Sequence, residues 1–175
     1  MRISRANADD AAGLGSLLWL NHFDQEPTDA STMASRAAFG VEFADWWAVN
    51  LDSHHAFIAS LDRPASLDRL APLDRPDIIG MAWVAIVPRV PRPGAMRRLH
   101  ADIQSVFVQR EFRGQGIGSA LVEAASDDAV QLGALRVTVH SGRRAVPVYE
   151  RLGFESSRQL LQRPPDDAPS ASFPG

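Results

Sequence analysis

This 175-residue sequence predicts an α/β fold: a mixed, twisted sheet of six or seven strands with helices on both faces. Three observations carry that expectation. Short apolar or alternating runs are interleaved with stretches of helical periodicity. Val106–Gly118 reads as the end of a strand followed by a turn with glycines at alternate positions, Gly114, Gly116 and Gly118. An amphipathic segment, Ser119–Leu132, follows that turn at once, so the order is strand, glycine turn, helix. The length suits one domain, residues 1–162, with a core of its own.

In chain order, Met1–Ala6 reads as a first strand, and Asp9 or Asp10 as the N-cap of a helix running to about Leu20. Leu14, Leu17, Leu18 and Asn21 share one face of that helix. Asp29 to about Asn50 carries Met33, Ala37, Phe43, Trp46 and Trp47 at roughly helical spacing. The two tryptophans read as core packing or as a binding platform. His54–Leu61 is a strand, and its adjacent histidines point to opposite faces, so they are poorly placed to chelate a metal together. A six-residue repeat, Leu61-Asp62-Arg63, Leu67-Asp68-Arg69 and Leu73-Asp74-Arg75, is too short for a solenoid. Residues 61–77 read as an expanded loop, tolerated because closure entropy grows slowly with length.

Ile78–Val87 and His100–Val108 are the next strands, joined by an arginine- and proline-rich hairpin, Pro88–Arg98. That hairpin reads either as solvated or as a contact for an anion. Gly133 ends the helix after the glycine turn, and Leu135–His140 is the fifth strand. Arg143–Leu152 is a fourth helix with Pro147 in its first turns and Gly153 behind it. A weak strand is expected around Ser157–Leu161. Residues 163–175, rich in Pro, Ser, Asp and Ala, read as a mobile tail.

Composition narrows the function. Net charge is −3 with a pI near 5.9, which offers no global basic footprint for nucleic acid or a membrane surface. The absence of cysteine excludes disulfides, thiol nucleophiles and thiolate metal sites. No signal peptide is visible behind Met1–Arg5, and no apolar run approaches the roughly 20 residues of a membrane span. A cytoplasmic protein without a metal cofactor is expected. Every cationic side chain apart from histidine is arginine, so no lysine is available for self-modification.

The glycine turn is the chemical centre of the sequence. Such a turn aims unpaired backbone N–H groups at one point, and the helix N-terminus adds partial positive charge. A phosphate is the natural occupant. A nucleotide P-loop would need Lys-Ser or Lys-Thr after its last glycine, where this chain has Ile117-Gly118-Ser119. A dinucleotide fingerprint needs its third glycine one residue later and an acidic residue about 20 positions on, where the chain has Gly133-Ala134-Leu135. A third pattern, Arg/Gln-x-x-Gly-x-Gly/Ala, is met by Arg113, Gly116 and Gly118. A second motif, Ala145-x-x-x-Tyr149-x-x-x-Gly153-Phe154, follows the fifth strand.

With both motifs in this order the chain resembles the GCN5-related N-acetyltransferase (GNAT) family, over roughly Ile78–Phe154 and more weakly over Met1–Leu20. The resemblance implies acetyl-CoA as cosubstrate, direct transfer of its acetyl group to a primary amine, and a sheet splayed between strands four and five to admit the pantetheine arm. It places the coenzyme on Val106, Phe107, Val108, Arg113, Gly114, Gln115, Gly116, Ile117, Gly118 and Ser119. Tyr149 becomes the acid that protonates the departing thiolate, and Asp102 the candidate base. An unperturbed aspartate, pKa about 3.9, is a weak base, so His100 or a water chain stays open as an alternative. An asparagine common in the family seven residues before the tyrosine is Gly142 here, with Ser141 or Arg143 as substitutes. Asp24, Glu26, Asp29, Glu42 and Asp45 mildly favour a cationic acceptor. A non-catalytic acyl-CoA-binding domain is the alternative reading. The identity of the small-molecule or peptide amine, the acyl-chain preference and the choice between monomer and homodimer are left open.

Overall fold

The computed structural model describes residues 1–23, 29–61, 78–157 and 161. Its strands are β1 (Arg2–Arg5), β2 (His54–Ser60), β3 (Ile78–Pro88), β4 (Leu99–Val108) and β5 (Ala134–Val139). They form one sheet in the order β1-β2-β3-β4-β5. The first four run antiparallel to their neighbours, and β5 runs parallel to β4. The helices are α1 (Ala11–Phe23), α2 (Ala30–Asn50), α3 (Ile117–Gln131) and α4 (Val146–Arg151).

Five strands, rather than six or seven, are present among the described residues. The additional strand expected at Ser157–Leu161 is not seen at Ser157 or Leu161, and residues 158–160 lie outside the described residues. Glu155, Ser156 and Ser157 are polar and exposed, so the approach to that segment has no apolar alternation to bury. The loop at 62–77 and the tail at 163–175 also lie outside the described residues.

Helices cover both faces of the sheet. On one face α1 and α2 bury Leu14, Leu17, Phe43 and Trp47 against Ile58, Met81, Trp83 and Phe107. On the other, α3 packs Leu121, Val122, Ala125 and Ala129 against Phe57, Ala82, Val84, Ala101 and Ile103. Tyr149, Leu152 and Phe154, on and just after α4, join this second core. Each large side chain fully buried here contributes about 1.5–3 kcal/mol relative to exposure.

Local chemistry sets the helix boundaries. The N-cap at the first helical turn is Asn7, two residues before the expected aspartates. Its side chain accepts from Asp9 N at 2.9 Å, and its own N–H donates to Asp10 Oδ2 at 2.9 Å. Asp10 therefore completes a capping box over the 3₁₀ turn Ala8–Asp10. Asp29 caps α2 by accepting from Thr32 N at 2.7 Å. That bond holds the Asp29 carboxyl below its ordinary range. α4 starts three residues later than expected, because Arg143–Ala145 form a turn ahead of it.

His54 and His55 leave β2 on opposite faces, as alternation requires. His55 is buried with Nδ1 2.5 Å from Asp128 Oδ2 on α3, and Asp128 also faces Arg5 at 3.6 Å. His54 lies under Trp46 on the α2 side, ring centroids 5.1 Å apart.

Candidate active site

β4 builds the site. The β3–β4 ladder pairs Val84 with Ile103 and Trp83 with Ser105, so Gln104 is the extra residue of a β-bulge. Before the bulge, Leu99, Ala101 and Ile103 point into the α3-side core. After it, Val106 and Val108 do so, while Phe107 enters the opposite core. The bulge thus reverses the strand's parity. On a regular strand His100, Asp102 and Gln104 would line one face. Instead His100 and Asp102 share the α1/α2-side face with Ser105 and Phe107, and Gln104 is the exposed residue at the irregularity. Ser105 Oγ accepts from Asn21 Nδ2 at the end of α1, at 3.1 Å.

β4 and β5 are paired only as far as Ile103 and Val139. From Gln104 to Val108, β4 is bonded to β3 alone, leaving its other edge open. One step before that opening, Asp102 lies opposite Thr138. Thr138 Oγ1 is 3.1 Å from both Asp102 Oδ1 and the Ala101 carbonyl. The row continues across the sheet as Asp102, Ala85 and His54.

The open edge of β4 leads into the glycine turn. Gln109 anchors the turn, its amide N–H donating to the Ile79 carbonyl and its side-chain Nε2 to the Ile78 carbonyl. A 3₁₀ turn, Arg110–Phe112, follows. Arg113 Nε donates to the Val108 carbonyl at 2.9 Å, and its guanidinium lies over the Phe107 ring. Gly114 and Gly116 have φ of +77° and +79°, which side chains rarely adopt, and a Cβ at either would meet nothing within 4 Å. Gly116 is the N-cap of α3 and makes no side-chain cap bond. The first intrahelical bond recorded there is from Ala120 N to the Gly116 carbonyl. The N–H groups at the head of α3 therefore lack intrahelical acceptors, and the glycines leave open space beside them, a local arrangement that suits an anion. Val106 and Phe107 lie on β4, and Gln115, Ile117, Gly118 and Ser119 lie in the turn and at the start of α3.

Tyr149 sits on α4, half-buried in the α3-side core, with Phe154 edge-on at 5.5 Å. Burial raises its phenol above the ordinary value of 10.0. Gly142 accepts from Ala145 N in the turn before α4, and a Cβ there would meet open space. Ser141 is half-buried and Arg143 exposed.

The acceptor-side expectations divide. Trp47 is core, 2% exposed, with Nε1 donating to the His54 carbonyl. Trp46 is 44% exposed and leans on Trp83, whose β4 partner is Ser105. Asp29 is occupied as a cap, and Asp45 helps to line an open groove of about 780 Å³ between α1 and α2. That groove shares no residue with β4 or the glycine turn. Asp24 and Glu26 lie outside the described residues. Thr138, Ser105 and Asn21 escaped the sequence reading, because only the ladder register and the bulge bring them to this face. Among the described residues no three His, Asp or Glu side chains are grouped to hold a metal ion. No helix among them is long and apolar enough to cross a membrane.

A mixed sheet whose β5 leaves β4 beside a glycine-capped helix N-terminus is the arrangement that the resemblance to acetyltransferases implies. The match to the acetyltransferase (GNAT) family over residues 16–154 covers most of the chain, and the chain belongs to that family. It is 31% identical over 85 residues to a glucosamine 6-phosphate N-acetyltransferase of Trypanosoma brucei brucei, a match covering 49% of this chain and 56% of that protein. The chain thus spans little more than half of that relative. It is 29% identical over 121 residues to the peptidyl-lysine N-acetyltransferase YjaB of Salmonella typhimurium, covering 69% of this chain and 80% of that protein. Among solved structures, a Trypanosoma brucei acetyltransferase superposes with a TM-score of 0.64 at 22% identity, over 93% of this chain and 98% of that one. A predicted acetyltransferase with acetyl-CoA from Clostridium acetobutylicum superposes with a TM-score of 0.63 at 17% identity, over 93% and 95% of the two chains.

Proposed function

We propose that this chain is an acetyl-CoA-dependent N-acetyltransferase that moves the acetyl group directly to a primary amine. The observation that supports this most is the continuity of the open β4 edge with the glycine cradle at the head of α3. A pyrophosphate on Gly114–Ser119 leaves the pantetheine arm to run along Val106–Val108, with the thioester near Gln104. The acceptor approaches from the α1/α2 face, where Asp102 lies.

An ammonium has no lone pair, so the acceptor first gives up a proton. Asp102 receives it directly or through water, and His100, two residues back on the same face, is the other candidate base. The neutral amine then attacks the thioester carbon, and charge collects on the carbonyl oxygen. Backbone N–H groups on the open edge of β4 offer that oxyanion hydrogen bonds. The carbon–sulfur bond breaks, and Tyr149 gives its proton to the leaving thiolate. A phenol kept neutral by burial suits that role.

The relatives are named as enzymes, and none supports the alternative of a non-catalytic acyl-CoA-binding domain. Their names suggest two acceptors to try, an amino-sugar phosphate and a peptidyl lysine. The test is thiol release from acetyl-CoA against both of these, together with polyamines, amino acids and aminoglycosides. Coenzyme binding without release on any amine would count against the proposal.

A further inference from the structure

Beside the Asp102–Thr138 pair, the α1/α2 face of β4 and β5 is strongly cationic. His100 lies two residues before Asp102, opposite Val87 on β3. Arg136 lies two residues before Thr138 on β5, at the irregular step where Leu99 pairs with Ala134 and Ala101 with Val137, which sets Leu135 and Arg136 opposite His100. At the end of the β3–β4 ladder the Arg89 N–H donates to the Arg98 carbonyl at 2.8 Å. Arg89 and Arg98 thus continue the ladder two steps beyond the Val87–His100 pair and share its face; desolvation, and then the charges of Arg89, Arg136 and Arg98, hold the His100 imidazole below its ordinary value.

Among the described residues these arginines have no carboxylate counter-ion. From Ile78 to Ala101 and from Ala129 to Tyr149 the sequence has no Asp or Glu. Among the described residues none of Arg89, Arg98 and Arg136 is in an ion pair with a carboxylate. Arg98 spends Nη1 on the Val90 carbonyl, and its buried Nε has no partner. Uncompensated positive charge in a chain of net charge −3 is a local feature that attracts an anion.

We propose that the acceptor is an anionic amine, with its nitrogen at Asp102 and a phosphate or carboxylate held by Arg136, Arg89 and Arg98 around His100. This rests on the acetyl-transfer reading above and gives its acceptor a class. Two residues along a strand span about 7 Å, which sets the separation between the nitrogen and the anionic group. An aminohexose 6-phosphate or an ω-amino acid meets that spacing. A polyamine places a second cation where the arginines are and is disfavoured. This proposal runs against the sequence-based preference for a cationic acceptor. That preference rested on acidic residues of which Asp29 is a helix cap and Asp45 faces the separate groove.

The test uses matched amines with the full chain and acetyl-CoA: glucosamine 6-phosphate against glucosamine, and 6-aminohexanoate against hexylamine, with spermidine as the cationic control. Thiol release gives kcat/KM for each. The expected result is a preference for the anionic member of at least one pair by about tenfold or more, the scale of one charge-assisted contact. The two pairs distinguish phosphate from carboxylate. Arg136→Glu should reduce that anionic-to-neutral ratio by about tenfold with the Kd for coenzyme A unmoved, which a loss of folding would not do. Release that favours spermidine or the neutral members, or a ratio unaffected in both Arg136→Glu and Arg89→Glu, overturns the anionic class while leaving acetyl transfer intact. No release with any amine overturns both.

Discussion

Thr138 Oγ1 stands 3.1 Å from Asp102 Oδ1 and 3.1 Å from the Ala101 carbonyl, one pair before the last between β4 and β5. A hydroxyl has one proton and can also accept. While Asp102 is ionised, Thr138 donates to it. Once Asp102 has taken a proton, the carboxyl O–H donates to Thr138, which turns its own proton to Ala101. The same side chain thus serves both states of the proposed base.

Thr138→Val removes that hydroxyl at nearly constant volume. We expect kcat to fall about tenfold or more, within the range of a positioned proton-transfer group, with acetyl-CoA affinity little changed. Thr138→Ser should restore the rate. Steady-state kinetics beside calorimetric coenzyme binding make the check. Parental kcat in Thr138→Val together with an impaired Asp102→Asn would remove Thr138 from the site, whereas an active Asp102→Asn would remove the base assignment.

Gly116→Val should abolish coenzyme A binding. The residue sits at φ +79° with open space where a Cβ would project, so valine both strains the turn and enters the cradle. The fold should persist, because Gly116 contributes nothing to either core. Calorimetry on a variant with a parental circular dichroism spectrum decides the matter; undiminished binding means the pyrophosphate lies elsewhere.

Tyr149→Phe keeps the ring against Phe154 and deletes the proton donor. If the phenol protonates the thiolate, kcat should drop about 10²–10⁴-fold with coenzyme binding nearly intact. The parent's alkaline limb should lie above pH 10, since burial raises the phenol above 10.0. Stability follows the same sign. A group whose pKa is raised on folding contributes fully below its unfolded value, and that part is lost as pH rises through the folded value. Alkaline unfolding of the parent should therefore contain a component above pH 10 that Tyr149→Phe lacks. Full kcat in the variant, with chemistry rate-limiting, would make Tyr149 a packing residue.

Asp128→Ala should destabilise the fold by roughly 1–3 kcal/mol, the cost of leaving a buried polar partner unsatisfied. His55 is buried beneath α3 and has Asp128 as its hydrogen-bond partner there. Because α3 also carries the glycine turn, urea unfolding should shift while coenzyme affinity changes little. An unchanged midpoint would mean that water replaces the carboxylate.

The conformations of the glycine turn, Arg113 and the motif around Tyr149 were legible in the sequence because they depend on local backbone: a strand end, a positive-φ turn and a helix start are set by neighbours in the chain. The two tryptophans and the two histidines of β2 were legible only as alternatives. Periodicity places side chains on faces, and tertiary contacts then decide that Trp47 is core while Trp46 is exposed.

By itself, then, the sequence determined the α/β order of elements, the absence of cysteine thiols and a positive-φ glycine turn between a strand and a helix. These follow from composition and from interactions a few residues long. Only the tertiary structure decided which side chains surround Asp102. The bulge at Gln104 reverses the parity of β4, and the β4–β5 register brings Thr138 and Arg136 to it from 36 and 34 positions away in a chain that gives no sign of that pairing. Strand register is a long-range choice made by the packing of both faces at once, so a single residue's shift, invisible in the alternation of the sequence, selects the face on which the chemistry is assembled.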